Sequence, residues 1–339
     1  MTEAAPPPDG PLPEPSEVEV VRGAVDRLVV IGDLNGHAHL LDRLLLGTGL
    51  MDPTGRWIGG RSVLVQMGDV VNRGAGARAA VDRLVHLQRA AREAGGDVVW
   101  LLGNHEVMTA LGHEAYVTAD EYMEFATPEA IEAFHVRRTR FLYELLGPPD
   151  LARRVEPIGG RMRAWEEDNA PGKEAFREAF SARGIYGRHL RTLPAAVRIG
   201  DLVLVHGGLH PSWARLGVEG IHAEVQAAWR AAPPAYQTLA PAGVLRDPLG
   251  PVWHRAYCIS SAPTVERDAA CALELLGARR MIVGHTRTET AGGVSGRPLL
   301  RQGDRVVMTD VGLGEPGEPG AALVVEEGRI DVWSPLEGR

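Results

Sequence analysis

Three short apolar runs constrain the fold of this chain more than any other feature. They are RLVVIGD at 27–33, SVLVQMGD at 62–69 and DVVWLLGNHE at 97–106, and each breaks off in glycine followed by aspartate or asparagine. Runs of this length, rich in Val, Ile and Leu, read as buried strands. Between them lie AHLLDRLLLGTG and ARAAVDRLVHLQRAAREAGG, whose apolar residues recur at helical spacing and which close on glycine. The order strand, helix, strand, helix, strand predicts an α/β fold with these three as parallel central strands. Their polar residues would gather at the carboxyl edge of the sheet, where such folds place their sites.

Downstream, about 116–187, the pattern turns helical and charged, as in EAIEAFHVRRTRFLYELLG, and predicts a helical insertion or cap. Strand signals then resume in AVRI, LVLVHGG, RMIVGHT, RVVMTDVG, AALVVEEG and IDVW. These predict a second sheet whose later members are antiparallel. Upstream, residues 1–22 hold a proline-rich acidic segment, with six prolines in its first twenty residues, and are expected to be a disordered tail. One domain is expected over 23–339, for which 45% hydrophobic residues can supply the core.

Composition excludes several classes. Of the net charge of −8, five charges sit in residues 1–20 (Glu3, Asp9, Glu14, Glu17 and Glu19), and no basic stripe marks a nucleic-acid surface. Neither a membrane span nor a secretory leader is indicated, so a cytoplasmic location is expected. Two cysteines, Cys258 and Cys271, without a CxxC spacing, argue against disulfides and thiolate zinc, and both are expected in the core.

The residues just after the strand runs are Asp33 and Asn35, Asp69, Asn72 and Arg73, Asn104 and His105, His206, and His285. Carboxylate, amide and imidazole groups presented in order from strand ends form a two-metal constellation. Each alone is weak, but roughly 35 residues separate Asp33, Asp69 and Asn104 in turn, a regularity that core filling does not explain.

The stretches GDLNG, GDVVNRG, GNHE, HGG and VGH resemble the ordered signatures of calcineurin-like metallophosphoesterases, and specifically of the phosphoprotein phosphatase type. GNHEVMTALGHEAYVT, GRHLRTLPAAVRIGDLVLVHGGLHP, GPVWHRAY and TDVGLGE are most similar to Shewanella-like protein phosphatases. The resemblance implies a two-sheet αββα sandwich with a helical insertion, two divalent metal ions, and hydrolysis of phosphomonoesters by a hydroxide held between them. It further implies that Asp33 and residue 35 bind the first metal, that Asp69 bridges, and that Asn104, His206 and His285 bind the second. His105 would protonate the leaving oxygen, while Arg73 and, by a looser match, Arg255 would clamp phosphate. The substrates implied are phosphorylated proteins or small phosphoesters.

Two positions depart from that pattern. Asn35 stands where the family has a metal-binding histidine, and Asn72 where it has the aspartate that supports the catalytic histidine. An amide oxygen is a neutral, harder ligand than imidazole, so the first site should lean toward manganese, with magnesium, zinc and iron as alternatives. Asn72 can accept a ring proton but supplies no charge. Two rival functions follow: a dinucleoside polyphosphate phosphoesterase, since related folds cleave such nucleotides, and a pseudophosphatase that binds phosphate without turnover. His37 and His39, beside Asn35, are expected to lie in the first turn of the next helix and face solvent, with rotation of His37 toward the metal as the alternative. His113 replaces an aspartate common in related sequences.

Overall fold

The computed structural model describes residues 12, 19–146, 155–231, 235–314 and 320–335. The chain enters the fold at β1 (Val21–Arg22), which pairs in parallel with β5 (Ala196–Ile199). This trims the tail expected over 1–22. Val20 is buried and Arg22 pairs with the buried Asp97 carboxylate, so burial and an ion pair fix residues that composition had assigned to the tail. Residues 1–11 and 13–18 of that segment lie outside the described residues.

β2 (Arg27–Ile31), β3 (Val63–Gln66) and β4 (Asp97–Trp100) are parallel neighbours. Ile31 is level with Gln66, and Gln66 with Trp100, so the strands end together and deliver Asp33, Asp69 and Asn104 to one edge. β3 and β4 are buried along their whole length, as strands covered on both faces must be. Two helices cover this sheet. α1 (Ala38–Gly47) turns Leu40, Leu41, Leu44 and Leu45 inward, and α2 (Ala77–Glu93) does the same with Val81, Leu84 and Leu87. A buried Arg83–Asp42 ion pair at 2.9 Å joins them.

After α3 (Asn104–Ala110) the chain is helical through α4 (Ala119–Met123), α5 (Pro128–Leu146), α6 (Val155–Asn169), α7 (Lys173–Phe180) and α8 (Ile185–Leu190). Tyr122, Phe125, Phe176, Phe180 and Tyr186 interlock as one aromatic cluster that ties α4, α7 and α8 together. α5 buries Phe134 and Leu145, and Phe134 and Phe141 stack on Trp165 of α6.

The second sheet runs through β5, β6 (Leu202–Val205), β7 (Arg280–Val283), β8 (Leu299–Arg301) and β9 (Val306–Met308), in the order β1-β5-β6-β7-β9-β8. Between β6 and β7 come α9 (Pro211–Ala214), α10 (Gly217–Arg230), α11 (Ala256–Ile259) and α12 (Pro263–Leu275). The last two strands, β10 (Ala322–Glu326) and β11 (Arg329–Trp333), do not join this sheet as the sequence suggested. β10 pairs antiparallel with β2, giving the first sheet the order β11-β10-β2-β3-β4 and leaving β4 at an edge rather than in the centre. Apolar periodicity shows that AALVV is buried but not which strand it pairs with. The open side of β2 takes it, and an Arg27–Glu326 pair at 2.6 Å closes the register.

A continuous apolar core runs through both sheets of this mixed α/β fold. Cys258 lies within it, whereas Cys271 is exposed, on the side of α12 opposite Ala269, Ala272 and Leu273. No helix among the described residues is long and apolar enough to cross a membrane.

Candidate active site

The loops that leave the strand ends are held in unusual backbone. Asn35, Asp69, Asn72, Arg73 and His285 have φ between 47° and 71°, five of the eight described non-glycine residues on the positive side. Left-handed backbone costs such residues on the order of 1–3 kcal/mol and persists where the surroundings impose it. Here they do. The Asn35 N–H donates to Asp69 O at 2.8 Å, the Arg73 N–H to Tyr116 O at 2.9 Å, and the His285 N–H to Asp33 Oδ1 at 3.0 Å.

Ligand atoms of Asp69, His206 and His285 lie within 4.8 Å of one another, and all three residues are buried. Met67 O accepts a hydrogen bond from His206 Nδ1–H at 2.7 Å, which turns Nε2 toward Asp69 Oδ1 at 3.3 Å and Asn104 Oδ1 at 3.0 Å. Three electron-rich atoms facing one another demand positive charge between them. Burial opposes protonation of His206, but Asp69 and Asp33 push it up to about 10. Burial likewise opposes ionisation of Asp69, yet His206 and His105 hold it well below the usual carboxylate range.

Other features make the same demand. Asn35 Oδ1 and His285 Nε2 are buried without a hydrogen-bond partner. Burial and the neighbouring Asp310 raise Asp33 well above its usual range. Space is reserved as well: a Cβ on Gly103 would fall 2.3 Å from Asp69 Oδ1, and one on Gly284 2.4 Å from Asp33 Oδ1. Carboxylates, amide oxygens and imidazoles without a thiolate suit hard or borderline divalent cations. The residues present therefore fit a metal centre.

His105 stands on the first turn of α3, 1% exposed, with Nε2 3.8 Å from Asp69 Oδ2 and Nδ1 2.9 Å from Asn72 Oδ1. Burial pushes it down to about 4, and Arg73, His206 and Arg255 add to this against the pull of Asp69. Both arginines are exposed. Arg73 lies over the Tyr116 ring at 5.3 Å, and Arg255 donates to His285 O at 2.7 Å and to Thr286 Oγ1 at 3.2 Å. Aromatic groups line this side: Tyr116 against His105 at 4.9 Å, Trp253 edge-on to His285 at 5.7 Å, and Tyr236 6.3 Å from Trp253. His113 stacks on Tyr236 at 5.1 Å, which accounts for an imidazole at that position.

His37 behaves in neither way expected. It caps α1, half-buried, with Nδ1 3.0 Å from Leu34 O and its ring packed against Gly74 and Gly314, while His39 is exposed. Helical spacing located the turn, but not the two glycines that wedge the ring.

Three buried acids escaped the sequence reading. Glu106, 0% exposed, accepts from the N–H groups of Asp69, Val70 and Gly103 at 2.8, 2.8 and 2.9 Å, and so holds the loop that carries Asp69. Its position three residues after Gly103, at the start of a helix, was the available signal. Glu106→Ala is expected to lower stability by about 3 kcal/mol or more, since each orphaned donor costs about 1–3 kcal/mol; thermal unfolding with and without added metal checks this. Asp310, pushed up to about 6 by burial, follows β9 just as Asp33 follows β2. Glu121, on α4, receives the Asn72 N–H at 3.0 Å.

The family model of calcineurin-like phosphoesterases matches residues 26–286 of this chain. Shewanella-like protein phosphatase 2 of Arabidopsis thaliana is 31% identical over 314 residues, covering 89% of this chain and 75% of its own. Shewanella-like protein phosphatase 1 of Plasmodium berghei is 24% identical, covering 77% of this chain and 61% of its own. Among solved structures, the cold-active protein tyrosine phosphatase of a psychrophilic Shewanella species superposes with a TM-score of 0.68 at 22% identity, over 95% of this chain and 82% of that one. At that identity the likeness is one of fold.

Proposed function

The chain belongs to the calcineurin-like phosphoesterase family, and from that premise we propose that it removes phosphate from protein side chains, with phosphotyrosine as the preferred ester. It is a metal-dependent phosphatase. The observation that carries the reading is the buried cluster of Asp69, His206 and His285 beside His105, with Arg73 and Arg255 close enough to depress the His105 pKa.

In this reading Asp33 and Asn35 would hold one metal ion, Asn104, His206 and His285 the other, and Asp69 would contribute to both. When bound, the metals neutralise phosphate charge and make hydroxide available near neutral pH. Arg73 and Arg255 offer forked donors that orient the phosphate oxygens. His105 keeps its Nδ1 proton on Asn72 and directs Nε2 toward the ester oxygen. A bound phosphate dianion raises the imidazole's affinity for a proton, which His105 then gives to the departing oxygen.

Tyr116, Tyr236 and Trp253 supply an aromatic border suited to an aryl ester. The relatives named for protein phosphatase activity support a protein substrate. The test compares kcat/KM for a phosphotyrosine peptide, a phosphoserine peptide and a dinucleoside polyphosphate. A nucleotide preference would overturn the reading.

Asn35, a neutral ligand, makes the first site favour manganese or magnesium. Asn35→His, which keeps a residue type tolerant of φ near 47°, is expected to tighten the first metal and shift its preference toward zinc. Metal titration by calorimetry checks it.

A further inference from the structure

Asn72 presents its amide oxygen to His105, and what turns the amide that way lies outside the His105 loop. Glu121 is 0% exposed, and its Oε1 accepts the Asn72 main-chain N–H at 3.0 Å and lies 3.4 Å from Asn72 Nδ2. Thr109 Oγ1 lies 3.1 Å from Nδ2 and 3.2 Å from Oδ1 and can serve either orientation of the amide, which leaves the choice to Glu121. Were the amide reversed, its oxygen would face Glu121 Oε1, and its N–H could bond His105 Nδ1 only if the ring carried its proton on Nε2, so the contact with Glu121 also sets the tautomer.

A fully buried carboxyl is costly to keep. Burial pushes Glu121 up to about 8, and its Oε2 has no hydrogen-bond partner. Neither the metal ligands nor the phosphate-binding arginines account for it. Its one evident task is toward Asn72.

We propose that Glu121 is a positioning residue for the proton donor His105, acting through Asn72. Oε1 locks the amide, the amide oxygen then selects the Nδ1–H tautomer of His105, and Nε2 is left for the ester oxygen. No proton passes along this chain. Oε1 accepts from Asn72 whether or not Oε2 carries a proton, so the role is orientation. It rests on the reading of His105 as the proton donor.

A consequence reverses the simple expectation that aspartate at position 72 would improve the enzyme. Asn72→Asp sets a second carboxylate about where Nδ2 now lies, 3.4 Å from Glu121 Oε1 in a buried place. Two acids there cannot both ionise. Aspartate becomes useful only with Glu121→Gln, whose amide can donate to it.

The experiment measures kcat and KM with phenyl phosphate, bound metal, and the His105 ring ¹⁵N shifts for the whole protein and its variants. Glu121→Leu is expected to lower kcat about 10–100-fold, as loss of a supporting partner does, with KM changed by less than about twofold, metal content unchanged and the tautomer mixed. Glu121→Gln should recover rate relative to leucine, because its oxygen still accepts. Asn72→Asp should run no faster than the parent, and Asn72→Asp with Glu121→Gln faster than Asn72→Asp alone.

A Glu121→Leu protein with parental kcat and a pure Nδ1–H tautomer would overturn the proposal. So would an Asn72→Asp single variant as fast as the double, and that comparison decides the matter if leucine prevents folding. His105→Ala included alongside separates the layers: an unimpaired His105→Ala overturns the proton-donor reading too, whereas an impaired one confines the failure to Glu121.

Discussion

Asp69→Asn is expected to cut turnover severely and strip bound divalent metal in the same protein. Asp69 Oδ1 lies 3.3 Å from His206 Nε2 and accepts the His105 main-chain N–H at 3.0 Å, while Oδ2 lies 3.8 Å from the His105 ring, so both oxygens face the cluster. An amide keeps the shape but removes the charge that draws cations to the site. It also replaces one oxygen with an N–H₂ group that cannot coordinate. The loss in kcat should reach about 10²–10³-fold, the size found for a single preorganised electrostatic group. Metal analysis of the same preparation should fall in step, and circular dichroism should confirm that the fold survives. Full activity with full metal would sink the assignment of Asp69 to the centre.

The candidate centre was legible in the sequence for a physical reason. Asp33, Asp69, Asn104, His206 and His285 each follow a strand buried enough to be recognised by composition, and parallel strands that end level must bring their sequels to one edge. What stayed hidden depends on partners distant in sequence. Glu106 and Glu121 look like ordinary helix acids, yet they hold the backbone of the Asp69 and Asn72 loops from 36 to 49 residues away. The C-terminal hairpin was visible as strands, but its place beside β2 was not, because alternation records burial and is silent about neighbours. Cys271 was misplaced for a related reason: a small sulfur on an amphipathic helix reads as core until the inward face is known.

Asn72 is instructive because its meaning changes with its surroundings. In the sequence it is a lost carboxylate. In the fold its oxygen meets His105 Nδ1 at 2.9 Å and its nitrogen has two acceptors, Thr109 and Glu121, so every amide atom has a task. The substitution is embedded in a network fitted to it, a context that a comparison of motif letters cannot supply.

His105→Ala should then separate proton transfer from metal binding. The ring is 1% exposed and lies 3.8 Å from Asp69 Oδ2, whereas His206 lies 3.3 Å from Oδ1 and neighbouring Asn104 faces His206 directly. Alanine removes the imidazole but leaves the main-chain N–H that donates to Asp69 Oδ1, so the carboxylate keeps its place. Metal content should stay near the parental value while kcat for phenyl phosphate falls by about 10²–10⁴-fold, the usual worth of a positioned acid. The loss should shrink for p-nitrophenyl phosphate, whose leaving group departs as a stable anion with little need of a proton. Equal losses with both esters would mean that His105 stabilises phosphate charge without donating a proton, and a parallel loss of metal would mean that it is a ligand. A loss graded by leaving-group basicity, at constant metal, is the result that an acid held by Asn72 must give.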